Sequence, residues 1–159
     1  MVNAPPPFIP GAFVGAEHHY RARVYFEDTD LSGIVYHANY LRYMERARSD
    51  MLRIAGIDQR AAMEGGEGAW AVTDLTIKYR SPAKLDDDLL VVSTVEAVRG
   101  ASVIIAQRIL RAHGTLSDEL LTDGRVTAAF LSPEGRPRRQ PAGWADRFTA
   151  IMNGENFPC

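Results

Sequence analysis

Two aspartates, Asp28 and Asp30, with His37 seven residues further on, are the side chains of this sequence whose types and spacing best suit chemistry. A carboxylate and an imidazole can both move protons near neutral pH. His37 stands just before a stretch of helical periodicity, so a carboxylate, an acid–base ring and the free N–H groups of a helix start are expected in one small volume. Taken alone, Glu27 to Gly33 has a plainer reading. Asp, Thr, Ser and Gly also make an ordinary turn at the end of a strand.

The elements that must hold these residues can be read on either side. From His19 to Phe26, Tyr20, Ala22, Val24 and Phe26 alternate with Arg21 and Arg23, a period of two that predicts a first strand. Beyond Ile34-Val35-Tyr36 the period changes. Tyr40, Met44, Ala47, Met51 and Ala55 recur at three- and four-residue spacing, predicting one amphipathic helix with Asn39 as N-cap and Gly56 as its stop. It would run about 16 residues, roughly 24 Å, enough to cross a sheet. Strand patterns follow over Leu75 to Tyr79, Leu89 to Val98, Ser102 to Leu110 and Arg125 to Leu131, and Pro141 to Ile151 fits a short final helix. Short turns between the late strands predict an antiparallel meander with the long helix buried on one face. Such a sheet leaves an edge and part of a face for a partner, so a homo-oligomer is expected.

The chain has 159 residues, which suits a single domain, 18–159, behind a flexible Pro- and Gly-rich N-terminal extension, 1–17. With 46% hydrophobic residues and 24% charged it is neither disordered nor fibrous in composition. Eighteen Lys plus Arg against 20 Asp plus Glu give a formal charge of −2, no electrostatic reason to expect nucleic acid as a partner. The one cysteine, Cys159, excludes an intrachain disulfide and fits a reducing cytoplasm. No signal peptide and no bilayer-spanning run is read.

The run Val24 to Arg48 carries Glu27-Asp28-Thr29-Asp30, then Gly33-Ile34-Val35-Tyr36-His37, Asn39-Tyr40 and Glu45-Arg46-Ala47-Arg48. It resembles the signature of hot-dog-fold acyl-CoA thioesterases of the 4-hydroxybenzoyl-CoA thioesterase group, most closely the Tol-Pal-associated branch. Tyr79 to Asp87 is similar to that family's link between its second and third strands, and Gly135 to Pro141 to the close of its last strand. The likeness covers about residues 19–148. It implies an α+β hot-dog fold, an antiparallel sheet of five to six strands wrapped around one long helix, with subunits paired edge to edge and active sites at their interface. It implies hydrolysis of acyl-CoA thioesters to acid and coenzyme A, with Asp30 as the catalytic carboxylate and His37 at the position whose backbone N–H faces the thioester oxygen. A carboxylate can activate water or attack directly, and amides at a helix start can hold the oxyanion. No metal or cofactor beyond the substrate's own coenzyme A is called for.

Weaker assignments follow. Tyr36, Asn39, Glu45, Arg99 and Arg136 are candidate substrate or coenzyme A contacts. Capping alone accounts for Asn39, a salt bridge or interface role competes for Glu45, and solvation competes for Arg99 and for the run Arg136, Arg138 and Arg139. His18, His19 and His113 lack metal-ligand spacing and are read as surface residues, and Asp86 to Asp88 as a solvated turn. The expected partners are acyl-CoA or acyl carrier protein, and a second copy of the chain in a dimer or a dimer-of-dimers homotetramer. The rival readings are a hot-dog hydratase or dehydratase and a non-catalytic acyl-CoA or acyl-carrier binding protein. Short, long and aromatic acyl groups all remain open.

Overall fold

The computed structural model describes residues 4, 11–112 and 119–155. Six strands make one antiparallel sheet: β1 Ala12–Val14, β2 Glu17–Arg23, β3 Ala69–Tyr79, β4 Asp88–Val98, β5 Ser102–Arg111 and β6 Glu119–Leu131, in the order β1-β2-β4-β5-β6-β3. Among the described residues three α-helices accompany it: α1 Asn39–Ile54, α2 Gln59–Glu64 and α3 Trp144–Met152. The sheet covers α1 as expected. Only β4, β5 and β6 form a meander, however. β3 pairs with β6, not with β4, because the link from Arg80 to Asp87 carries the chain across the sheet before β4 begins.

The alternation read from sequence decides which side chains meet the helix. Val103, Ile105, Gln107 and Ile109 of β5 are buried, as are Val126, Ala128 and Phe130 of β6. Gly124 belongs to this face. A Cβ there would lie 2.8 Å from the Met44 methyl, so the helix approaches β6 closely only where β6 has no side chain. α1 ends where its pattern ends. Gly56 takes φ +78, and the Ile57 N–H reaches back to the Leu52 carbonyl at 2.9 Å, turning the chain away from the helix.

Three expectations are corrected at the N-terminal side. Residues 12–14, assigned to a flexible extension, pair with residues 17–19 as an edge strand. The first strand starts at Glu17 and stops at Arg23, and Phe26–Asp28 forms a short 3-10 turn. His18 is fully buried. Its Nε2 lies 2.8 Å from Asp50 Oδ2, which also accepts the Gly11 N–H at 2.9 Å, so one carboxylate on α1 ties down both the hairpin and the chain before it. α2 has a sequence signal that the initial reading missed: Asp58 caps it, accepting the Ala61 N–H at 2.9 Å. His113 and Cys159 lie outside the described residues.

Candidate active site

The chain between β2 and α1 folds into a small hairpin. Tyr36 N–H donates to the Asp28 carbonyl at 2.9 Å, Thr29 bridges Val35, and Asp30 N–H donates to the Ile34 carbonyl at 2.9 Å, which leaves Asp30 to Gly33 at the tip. Gly33, at φ +78, supplies the turn. Thr29 is extended, so Asp28 and Asp30 project to the same side, and Asp28 points at the first turn of α1.

The two aspartates are held differently. Asp30 is exposed, and its Oδ1 accepts the Ser32 hydroxyl at 2.6 Å and the Ser32 N–H at 2.8 Å. These donors, with the Ile34 amide and the neighbouring His37, keep its carboxyl below the usual range, so it is ionised at neutral pH. Asp28 is buried at 7% exposure. Burial pushes its carboxyl up, but the Tyr25 N–H and the Asn39 amide outweigh that and the net shift is downward. Its Oδ1 accepts Asn39 Nδ2 at 2.7 Å and its Oδ2 the Tyr25 N–H at 2.8 Å.

His37 is exposed and packed between aromatic rings, with centroids 4.4 Å from Tyr36 and 6.4 Å from Tyr79. Its carbonyl accepts the Tyr79 hydroxyl at 2.8 Å, pinning the helix start to the end of β3. The Asn39 N–H is taken by the Tyr36 carbonyl at 2.8 Å, whereas the amides of His37 and Ala38 meet no acceptor among the described residues. Two free donors at the positive end of a 16-residue helix, with the ionised Asp30 on the loop that leads into it, suit a substrate whose carbonyl oxygen gains charge while its carbon is attacked.

The remaining candidates divide by place. Asn39 is not the N-cap; Ala38 holds that position and the Asn39 side chain is buried against Asp28. Glu45 lies about 9 Å further along α1. It accepts from Arg48 Nη2 at 2.8 Å and from the Ser49 hydroxyl at 2.9 Å, and borders two clefts, one of about 820 Å³ with Tyr20, Arg46 and Arg53 and a smaller one with Trp70 and Phe148. Neither cleft includes Asp30 or His37, both of which are exposed. Arg99 and Arg136 are exposed at the opposite end of the sheet. Gln140 Nε2 donates to the Arg99 carbonyl at 2.8 Å, and the Arg136 carbonyl accepts the Ser132 N–H at 2.7 Å, beside the Leu131 end of β6 that pairs with Ala69. Arg138 leaves the candidate anion run, because its Nη1 braces the Glu67 carbonyl at 2.8 Å.

Comparison with known proteins gives the family. Residues 32–117 match the family model described as the thioesterase superfamily. The chain is 44% identical over 120 residues to the acyl-CoA thioester hydrolase YbgC of Escherichia coli O157:H7, covering 75% of this chain and 86% of that protein. It is 38% identical over 122 residues to the acyl-CoA thioesterase YbgC of Haemophilus influenzae, covering 77% and 90%. Among solved structures it is similar to a probable thioesterase from Bartonella henselae, 35% identical with TM-score 0.67 over 82% of this chain and 99% of that one. The hot-dog fold is shared with a 4-hydroxybenzoyl CoA thioesterase, 20% identical with TM-score 0.74 over 83% and 98%. A sheet-wrapped helix that opens with free amides next to an Asp-x-Asp loop is thus accompanied by a family match over more than half the chain, and the protein belongs to the thioesterase superfamily.

Proposed function

We propose that the chain hydrolyses acyl-CoA thioesters to free acid and coenzyme A, with Asp30 as the reacting carboxylate and the amides of His37 and Ala38 as the oxyanion site. The pairing of an ionised, accessible carboxylate with two unsatisfied helix-start amides carries this reading. A thioester carbonyl is already electrophilic and thiolate leaves readily, so the protein need supply only a base or nucleophile, oxyanion donors and shelter from bulk water. One oxyanion donor is worth about 3–4 kcal/mol of barrier. A carboxylate with a lowered pKa is a weak base but stays charged, which favours its direct attack on the thioester carbon as much as activation of water. The His37 ring, close enough to influence Asp30 electrostatically, assists from beside it. The reaction so written calls for no cofactor beyond the substrate's own coenzyme A.

The shelter comes from a second copy. β3 is hydrogen-bonded to β6 on one side, and its other edge has no partner among the described residues. Antiparallel pairing of two β3 edges sets the Ala69 end of one beside the Tyr79 end of the other. Arg99 and Arg136 of each copy, remote from their own Asp30, then stand near the other's and are placed for coenzyme A phosphates. This favours a homodimer, or a tetramer built from two. The lone Cys159 favours a reducing cytoplasm. Among the described residues no helix is long and apolar enough to cross a membrane. An acyl group carried on an acyl carrier protein presents the same thioester bond and is the alternative substrate.

The test is release of free thiol from a panel of short, long and aromatic acyl-CoAs, with saturation measured for each. Saturable release is expected for at least one class. Binding without release across the panel would favour the acyl-CoA binding protein instead.

A further inference from the structure

Asp28 accepts three hydrogen bonds, one from the loop's entry, one from its exit and one from the helix that follows. Its Oδ2 accepts the Tyr25 N–H at the loop's entry, its main-chain carbonyl accepts the Tyr36 N–H at the loop's exit, and its Oδ1 accepts Asn39 Nδ2 from the first turn of α1. Among the residues of the hairpin it is the buried carboxylate; Asp30, two residues on, is the exposed one. The Asn39 bond, 2.7 Å long, is a side-chain link between the loop that carries Asp30 and the helix that carries the two free amides, and Tyr43 of the same helix interacts with the same carboxylate.

We infer that Asp28 and Asn39 form a positioning pair for the hydrolysis, fixing the distance between the Asp30 carboxylate and the amides of His37 and Ala38. The inference rests on the reading of Asp30 as the reacting carboxylate. Asp30 itself is braced by Ser32, Gly33 and Ile34, all within the tip of its own hairpin, and among the described residues no hydrogen bond of Asp30 reaches the helix. That place is set two residues earlier, at Asp28. A misplacement of 1 Å between reacting groups costs about 100-fold in rate, so a bond that fixes this separation matters to turnover while touching no substrate. The pair also accounts for Asn at the head of a helix where the side chain caps nothing: an amide can donate to a buried carboxylate without bringing a second charge into the site.

Exchange of the pair tests this. Asn39→Asp sets two carboxylates face to face, whereas Asp28→Asn with Asn39→Asp restores one donor and one carboxylate in reversed order. The amide oxygen at position 28 remains free to accept the Tyr25 N–H. Asn39→Asp is expected to lower kcat at least 10-fold with KM within 3-fold, and the double exchange to return kcat to within 3-fold of the original chain. Should Asn39→Asp fail to fold, Asn39→Ala, which removes the donor and adds no charge, is expected to lower kcat by a similar factor. A kcat within twofold in the folded single variant, or a double exchange that recovers thermal stability but not kcat, would overturn the inference. Asp30→Asn measured in parallel separates the two readings. If it retains full activity the assignment of Asp30 fails; if it is inactive while the position 39 variant is not, only the positioning pair fails.

Discussion

Around the first turns of α1 the core is mixed, with Asn39 and Asp28 buried among Tyr40, Tyr43, Met44, Val24 and Val35 and the polar pair bonded to each other. Around the last turns it is almost wholly apolar: Met51, Leu52 and Ala55 pack against Trp144, Phe148 and Phe130, with Trp70 edge-on to Phe148 at 5.7 Å and to Phe130 at 5.3 Å. A buried polar thread divides the two halves, with Gln107 donating to the Met44 carbonyl and to Ser93 while accepting from Arg48. Polar groups bonded in one arrangement fix geometry, and rings packed to high density supply stability. The helix is therefore anchored at one end so that it can present chemistry at the other.

Changes at the anchored end should reach stability and leave turnover alone. Phe148→Ala, which empties a fully buried ring site, is expected to cost about 3–5 kcal/mol in denaturant unfolding, with kcat per folded molecule unchanged. A parallel loss of kcat would show that the two ends are not separate. Gly124→Ala lies nearer the boundary; its methyl would collide with Met44 and should cost about 1–3 kcal/mol in the same assay. At the chemical end, His37→Ala is expected to lower kcat by less than the roughly 100-fold that a general acid–base group supplies, because the backbone N–H stays in place, and to leave the melting temperature unmoved. A larger fall would assign the imidazole itself to the reaction.

The smallest effect concerns His18. Burial holds its ring below its ordinary pKa of 6.5 despite Asp50, and its Nδ1 has no hydrogen-bond partner among the described residues. The unfolded chain therefore takes up a proton before the folded one does. Stability should be full above pH 6.5 and decline as the pH falls below it, by at most about 1.4 kcal/mol per pH unit until the folded pKa is reached. His18→Gln, which keeps a donor toward Asp50, should flatten that part of the melting curve against pH; an unaltered slope would place the titration elsewhere.

What was legible in the sequence was what local periodicity and turn chemistry decide. The 16 residues of α1, the stop at Gly56, the central strands and the loop holding Asp28, Asp30 and His37 could all be read. What escaped was set by partners distant in sequence. His18 is buried because Asp50 lies 32 residues away on the facing helix, and Asn39 turns inward because Asp28 waits there with a charge. β3 leaves the meander because its partner β6 comes last in the sheet's chain order. Arg99 and Arg136 are candidate coenzyme A contacts by sequence, yet within one chain they stand at the far end of the sheet from Asp30, a separation that local pattern does not reveal.

The central claim concerns the Asp30 carboxylate. The most direct measurement is the kcat of Asp30→Asn on an acyl-CoA that the original chain turns over, with substrate affinity measured by calorimetry on the same protein. A loss of about 100-fold or more with affinity changed less than fivefold is predicted, since the substitution removes charge and nucleophile but little volume. Turnover within tenfold of the original would contradict the claim and assign the chemistry to another residue.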